Sequence, residues 1–389
     1  TTKREQPMMK NYGLTTVASF LGDHIVYRNL QPMDDRLPAF TEIAGCLGLS
    51  GASTPRKSEP DYARVMAYLL HYARSLAGGS ESVERLVYVG DTRLNDGTAF
   101  ANLCRAGGWP GMAFIGSENP EPPKPEIVSE DNRTLYLANR WAMLEAFDHF
   151  CRERDFPVDS QTAVVLDLDK TTLGARGRND HVINAARLAA VRQTVEELLG
   201  DDFDPASFEQ TYDLFNATEF HPFTTDNQDY LAYLCLILGS ELFAPKALVK
   251  DIREGELRSF VTFMARVEAR AHDLPKGLQA LHADIYSRVQ AGDPTPFKAF
   301  RYNEYKTTVG RMGTLNAEAG PADLLAEEIV ITQEVREIAH TWKERGALLF
   351  ALSDKPDEAS IPTPALAQEG YAPIHRQQAH AVGASDEAA

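Results

Sequence analysis

Ala163-Val164-Val165-Leu166-Asp167-Leu168-Asp169-Lys170-Thr171 is a short apolar run that ends abruptly in two carboxylates and a hydroxyl. Its length and aliphatic composition favour a fully buried strand over a piece of helix. Two other stretches repeat the pattern: Leu86-Val87-Tyr88-Val89 ends in Gly90-Asp91, and Leu348-Leu349-Phe350-Ala351-Leu352 ends in Ser353-Asp354. Helical patterns precede all three, over about Asp61–Leu76, Tyr136–Arg152 and Leu324–Glu344. Alternating helix and buried strand predicts an α/β fold with a parallel, helix-covered sheet. In such sheets the site lies at the carboxyl ends of the strands, where all three runs carry their reactive residues.

Between the second and third strands lies a long stretch with no comparable strand signal. Helical segments are expected near Val182–Leu199, Asp229–Leu242, Ala247–Ala271 and Gly277–Val289, punctuated by Pro245, Pro275 and the Gly292–Pro296 loop. The predicted division is a first core segment over 1–173, an inserted, mostly α-helical domain over 174–340, and a second core segment over 341–389. The segment Glu118–Pro125, with four prolines in eight residues, reads as an extended linker. Residues from about Ala379 to Ala389 read as a frayed tail.

With 389 residues, 43% hydrophobic and 24% charged, the chain can bury a large core, and wholesale disorder is excluded. A net charge of −17 argues against a nucleic-acid or anionic-membrane partner, which needs a basic surface. No bilayer-length apolar run and no signal-peptide pattern is found. Cys46, Cys104, Cys151 and Cys235 are far apart, so they read as reduced thiols and the expected location is the cytoplasm.

Two aspartates two residues apart beyond a buried strand, Asp167 and Asp169, suit a nucleophile and a neighbouring general acid/base. The same spacing can turn one carboxylate and one backbone carbonyl towards a shared Mg²⁺. An Asp-rich turn capping a strand is the bland alternative. Gly90-Asp91-Thr92-Arg93-Leu94-Asn95-Asp96 adds two acids after another strand, Asp91 to complete an oxygen-rich site and Asp96 as a further ligand or to orient water. Ser353 can donate its hydroxyl to a phosphate oxygen. Lys57, at a helix start in Arg56-Lys57-Ser58-Glu59-Pro60, can neutralise a nucleophilic aspartate and a transferring phosphoryl group. No HExxH, nucleophile-elbow or GxGxxG pattern is present.

Together these residues resemble the haloacid dehalogenase (HAD) superfamily of phosphotransferases. The likeness rests on DxDxT (Asp167, Asp169, Thr171), a strand-end Ser353 in Leu352-Ser353-Asp354-Lys355-Pro356, Lys57 in Lys57-Ser58-Glu59-Pro60, and GDxxxxD (Asp91, Asp96). It covers about half of the chain. The family order is nucleophile, Ser, Lys, then the GD acids. Here it is Lys57, Asp91/Asp96, Asp167/Asp169, Ser353, a rotation of the same cycle that suggests a circular permutation. The resemblance implies a three-layer, Rossmann-like core with a helical cap in the insertion, closing over the site. Candidate substrate contacts are Thr171, Arg176 and Arg178, with Lys306 and Arg311 from a basic cluster that includes Lys298 and Arg301 among aromatic residues.

The resemblance further implies a Mg²⁺-dependent phosphatase acting on a small phosphorylated metabolite. Asp167 is the nucleophile, Asp169 the acid/base, and Ser353 and Lys57 hold the phosphoryl oxygens. Asp167, Asp169, Asp91 and Asp96 are the candidate metal ligands. A phosphomutase or phosphonate-cleaving relative is the alternative enzyme, and a non-catalytic binding protein is the alternative outside enzymes.

Overall fold

Val164, Val165 and Leu166 are wholly buried because neighbouring strands flank them on both edges and helices cover both faces. The computed structural model describes residues 8–51, 54–78 and 82–384. In chain order its strands are β1 (Met9–Thr15), β2 (Ile25–Val26), β3 (Arg85–Gly90), β4 (Gly111–Gly116), β5 (Pro125–Glu130), β6 (Arg133–Ala138), β7 (Thr162–Asp167), β8 (Ile331–Thr332), β9 (Leu348–Leu352) and β10 (Ala379–Ala384). Seven form one sheet in the order β2-β9-β7-β3-β4-β6-β5. All its pairs are parallel except the antiparallel β5–β6 edge hairpin.

On one face, helices Pro60–Leu76 and Asn95–Gly107 pack Leu69, Leu70, Phe100 and Leu103 against Leu86, Tyr88, Val165 and Phe350. On the other, Phe114 of β4 meets Phe147 edge-on at 5.7 Å, and Phe147 meets Trp342 at 6.4 Å. These two residues belong to helices Leu144–Glu153 and Gln333–Glu344. Trp342 Nε1 donates to Asp148 at 2.7 Å, and Arg345 donates to the same carboxylate. The buried indole therefore keeps a partner for its N–H.

The register sets the site. Asp167 stands opposite Leu352, and Leu166 opposite Val89. The residues that follow β9, β7 and β3 therefore leave the sheet side by side.

The chain divides into two compact units, one comprising Thr1–Ala185 with Thr308–Ala389 and the other Ala186–Thr307. The second is all-helical among its described elements and has its own core, in which Phe215, Phe220, Phe260, Phe263 and Leu234 are buried. It is shorter at both ends than the expected 174–340. Of the flanking residues, Ile331–Thr332 form β8, which joins β1 and β10 in a second sheet, β1-β10-β8, whose β10 pairs antiparallel with β1 and parallel with β8.

Several sequence expectations are corrected. The pattern read as helix over Tyr136–Arg152 begins as β6, because Tyr136 and Ala138 face the core at strand spacing before the chain turns into Leu144–Glu153. Leu324–Glu344 is two helices, Pro321–Glu327 and Gln333–Glu344, separated by β8. Ala247–Ala271 likewise splits into Pro245–Arg253 and Phe260–Glu268. The Glu118–Pro125 linker runs into an edge strand.

The expected frayed tail is instead β10 over Ala379–Ala384; residues 385–389 lie outside the described residues. Ala379, Ala381 and Val382 are fully buried, and Val382 packs with Leu324 and Val330. His380 Nδ1 lies 2.8 Å from the Glu328 carboxylate, and both residues are fully buried. Burial by itself would raise the Glu328 pKa. The Leu315 N–H, His380 and the Thr314 hydroxyl outweigh burial and hold it below its ordinary value.

A carboxyl whose folded-state pKa is depressed stabilises the fold above its unfolded pKa, and that stability is lost as pH falls through the folded value. The wild-type chain is therefore expected to lose stability in urea titrations as pH falls below about 4.5, and Glu328→Gln to lose less over the same window. Val382→Asp should cost more than about 4 kcal/mol, because it buries an unpaired charge. A wild-type melting temperature for that variant would contradict the placement of β10.

Candidate active site

Asp167 is the last residue of β7 and is buried, with 4% of the residue exposed. The chain then winds tightly. Thr172 donates its N–H and, at 2.7 Å, its hydroxyl to the Asp167 carbonyl, and the Leu173 N–H donates to the Leu168 carbonyl. Lys170 takes a left-handed φ of 64° to make the turn. Strand β8 holds this loop from outside, with Thr332 N–H on the Thr172 carbonyl and Thr332 Oγ1 on the Thr171 carbonyl at 2.5 Å.

Lys57 reaches Asp167 across 110 residues of sequence. Its Nζ lies 2.5 Å from Asp167 Oδ1 and 2.6 Å from Asp96 Oδ1, and 5.8 Å from the Tyr88 ring centroid. The turn carrying Lys57 is tied down by Asn102 Nδ2, which donates to the Ser58 carbonyl at 2.9 Å, and Pro60 then starts the next helix. Burial opposes the ammonium, but the charges of Asp167 and Asp96 outweigh it and hold Lys57 firmly protonated.

Asp96 accepts five hydrogen bonds: from Lys57 and the Tyr88 hydroxyl on Oδ1, and from Asp91 N–H, Thr92 N–H and the Thr92 hydroxyl on Oδ2. Although burial works the other way, Lys57 and these donors hold its carboxyl well below the usual range. Gly90 makes the arrangement possible. A Cβ there would stand 2.6 Å from Asp96 Cγ, so no other residue lets the helix start fold back beneath the turn.

Asp91 faces Arg176, whose guanidinium binds its carboxylate. Burial, and then the charge of Asp96, push the Asp91 pKa up to about 7. Burial and the neighbouring Asp96 and Asp91 charges also raise Asp167, against the pull of Lys57.

Oxygens of Asp91, Asp96 and Asp167 all lie within 4.8 Å of one another. Three buried carboxylates face two cations, Lys57 and Arg176, so the cluster is short of positive charge, which the raised carboxyl pKa values reflect. Hard oxygen donors lacking positive charge suit a small divalent cation. Asp96 is saturated by its donors, which leaves Asp91 and Asp167 as the carboxylates with capacity to ligate. The Asp169 carboxylate stands outside this trio.

Asp169 instead lines a small cavity with Tyr27, Thr308, Ser353 and Lys355, among Leu168, Leu173, Ile183, Ile329 and Ile374. Ser353 is 1% exposed. Its N–H donates to the Val26 carbonyl, and its Oγ accepts the Lys355 N–H at 3.1 Å, which leaves the hydroxyl proton to donate.

The remaining candidates scatter. Arg178 is committed to Glu118 and Glu334, each at 2.7 Å, with a side chain only 3% exposed, so it holds the loop and not a ligand. Thr171 is fully buried, with a hydroxyl that finds no hydrogen-bond partner among the described residues. Arg311 is half-buried next to β8, with its carbonyl accepting the Ile329 N–H. Lys306 is exposed in the helical unit. Arg301, from the same basic cluster, is internal to that unit and bound to Asp229 and Glu304.

Sequence reasoning passed over Tyr88, Lys355 and Tyr27. Lys355 was within reach, two residues after Ser353; the tyrosines carry no signal beyond strand composition.

The chain matches no protein-family model, no curated protein and no solved structure.

Lys57→Met should destabilise the fold by about 3–5 kcal/mol, the cost of stranding buried charges, as read by urea denaturation at neutral pH. The double variant Lys57→Met/Asp167→Asn should recover part of that loss, because it removes one stranded carboxylate. A single-variant loss below about 1 kcal/mol would contradict the ion-pair geometry.

Proposed function

We propose that this chain is a Mg²⁺-dependent phosphatase of small phosphorylated metabolites, working through an aspartyl-phosphate on Asp167, as a circularly permuted member of the HAD superfamily. One observation carries the reading. Lys57, Asp91, Asp96, Asp167 and Ser353, spread over about three hundred residues, converge at three adjacent strand ends with a lysine ion-paired to the nucleophile. In the sheet these strand ends run Ser, nucleophile, GD acids, which suits a rotation of the family's motif order.

Asp167 attacks phosphorus with a carboxylate oxygen, forming the O–P bond as the ester P–O bond breaks. Lys57 holds the nucleophile in place, counters its charge and then that of the phosphoryl group. Ser353 donates its hydroxyl to a phosphoryl oxygen. Asp169 gives a proton to the departing alkoxide and then takes one from the water that cleaves the acyl-phosphate, restoring Asp167 and releasing phosphate. Asp96 positions Lys57 and the Asp91 turn without touching substrate. Mg²⁺ held by Asp91 and Asp167 would supply the positive charge that the acidic cluster lacks. Asp169, an acid/base suited to an oxygen leaving group, favours phosphate esters over halides.

Phosphate release from a panel of phosphorylated metabolites should require Mg²⁺ and stop in EDTA. Asp167→Asn should abolish it with the fold intact by circular dichroism. Asp169→Asn should slow it by about 10²–10⁴-fold. Turnover surviving exhaustive EDTA, or wild-type turnover of the Asp169 variant on a poor leaving group, would overturn the assignment.

A further inference from the structure

Two arginines in the loop after Asp167, two residues apart, are held in opposite ways. Arg178 has a side chain only 3% exposed, and its guanidinium makes four hydrogen bonds to the carboxylates of Glu118 and Glu334. Arg176 has a side chain 34% exposed and reaches one carboxylate, that of Asp91, through Nε. It makes none of the two-pronged contacts that lock Arg178 in place. The Arg176 backbone is fixed independently of its side chain. Its N–H donates to the Lys170 carbonyl at 2.8 Å, and its carbonyl accepts the Glu118 N–H at 3.0 Å and the Trp141 indole N–H at 3.2 Å. The Arg176 guanidinium can therefore leave Asp91 without releasing the loop.

Asp91 is buried, and among the described residues no other cation pairs with it. Lys57, by contrast, is pinned between Asp96 and Asp167. A cation drawn to the oxygens of Asp91 and Asp167 meets Arg176 already on one of the two carboxylates, and like charges repel. The exchange obeys a charge rule. A monovalent cation brings only the charge that the guanidinium takes away, so the acidic trio stays as short of positive charge as before. A divalent cation brings one charge more, and its gain in attraction offsets the loss of the arginine pair.

We propose that Arg176 is a positioning residue that holds Asp91 as an exchangeable counter-ion, giving it up to a divalent cation and keeping monovalent cations out. This rests on the cation site of the phosphatase reading. It adds the source of that site's charge selectivity, a side chain that itself ligates nothing.

Three measurements use the full chain and need no turnover. In calorimetric titrations with Mg²⁺, Arg176→Met, which keeps the length and removes the charge, should bind about 3–10-fold more tightly than wild type. That is the worth of one partly exposed ion pair together with the repulsion lifted by its loss. Arg176→Lys, which keeps the charge, should stay near wild type. Replacing tetramethylammonium chloride by NaCl at constant ionic strength should leave the wild-type Mg²⁺ affinity unchanged and weaken that of Arg176→Met. In ¹⁵N NMR of the wild-type chain, the Arg176 Nε–H signal, assigned by its loss in Arg176→Lys, should move to the position of a solvated arginine as Mg²⁺ saturates.

Mg²⁺ binding by Arg176→Met that is weaker than wild type or equal to it would overturn the exchange and leave the cation site standing. An Nε–H signal unmoved at saturation would do the same, and that arm does not depend on the methionine variant folding. Equal sodium sensitivity in the two chains would overturn the exclusion of monovalent cations. If neither chain binds Mg²⁺, the cation site of the phosphatase reading itself falls.

Discussion

One ammonium holds the candidate site together. Lys57 lies between Asp96 and Asp167, with the Tyr88 ring beside it, and no other cation bridges these two carboxylates among the described residues. Buried carboxylates this close repel each other strongly, and burial penalises every ionised one. Lys57 therefore dictates where its neighbours can be. The Lys57 turn docks on the helix start at Asn102, Asp96 folds back beneath Gly90, and Asp167 ends β7 against the same ammonium. Each of these placements keeps a charge compensated that would otherwise stand alone in a low-dielectric interior.

The compensation is incomplete, and that shortfall is the observation behind the proposed cation site. A purely structural cluster gains nothing from a carboxyl held near neutrality, as Asp91 is, or from one raised like Asp167. Perturbed acids gathered at the carboxyl ends of parallel strands are the pattern expected of chemistry waiting for a cation and an anionic substrate. Arg178 shows the contrasting case. Bound to Glu118 and Glu334, it is a satisfied network that anchors the loop after Asp167.

The small β1-β10-β8 sheet gives that loop its second anchor. β8 hydrogen-bonds the backbone at Thr171 and Thr172, and Val330 accepts the Gly174 N–H. A chain segment near residue 380 thus supports, through β8, the loop that follows Asp167. Gly177 shows how tightly the loop is drawn, because its φ of 76° brings it so close to the Glu118 carbonyl that a Cβ would collide with backbone.

What the amino-acid sequence determined by itself was local. Three apolar runs ending in Gly90-Asp91, Asp167-Leu168-Asp169 and Leu352-Ser353 encode buried parallel strands and the polar residues at their ends, because burial on both faces demands continuous apolar residues and abrupt polar stops. Lys57 was legible only as one member of a set, and its pairing with Asp167 depends on β3 lying beside β7, a sheet order that no periodicity records. The tertiary structure alone decided that Asp96 is a saturated hub, that Asp169 stands outside the acidic trio and lines a small cavity, and that Tyr27 and Lys355 line it too. It also turned the expected tail into a central strand, since β10 is short and rich in alanine and glycine and is buried by what β1 and β8 place around it. Burial that comes from neighbours distant in sequence leaves no pattern in the segment that is buried.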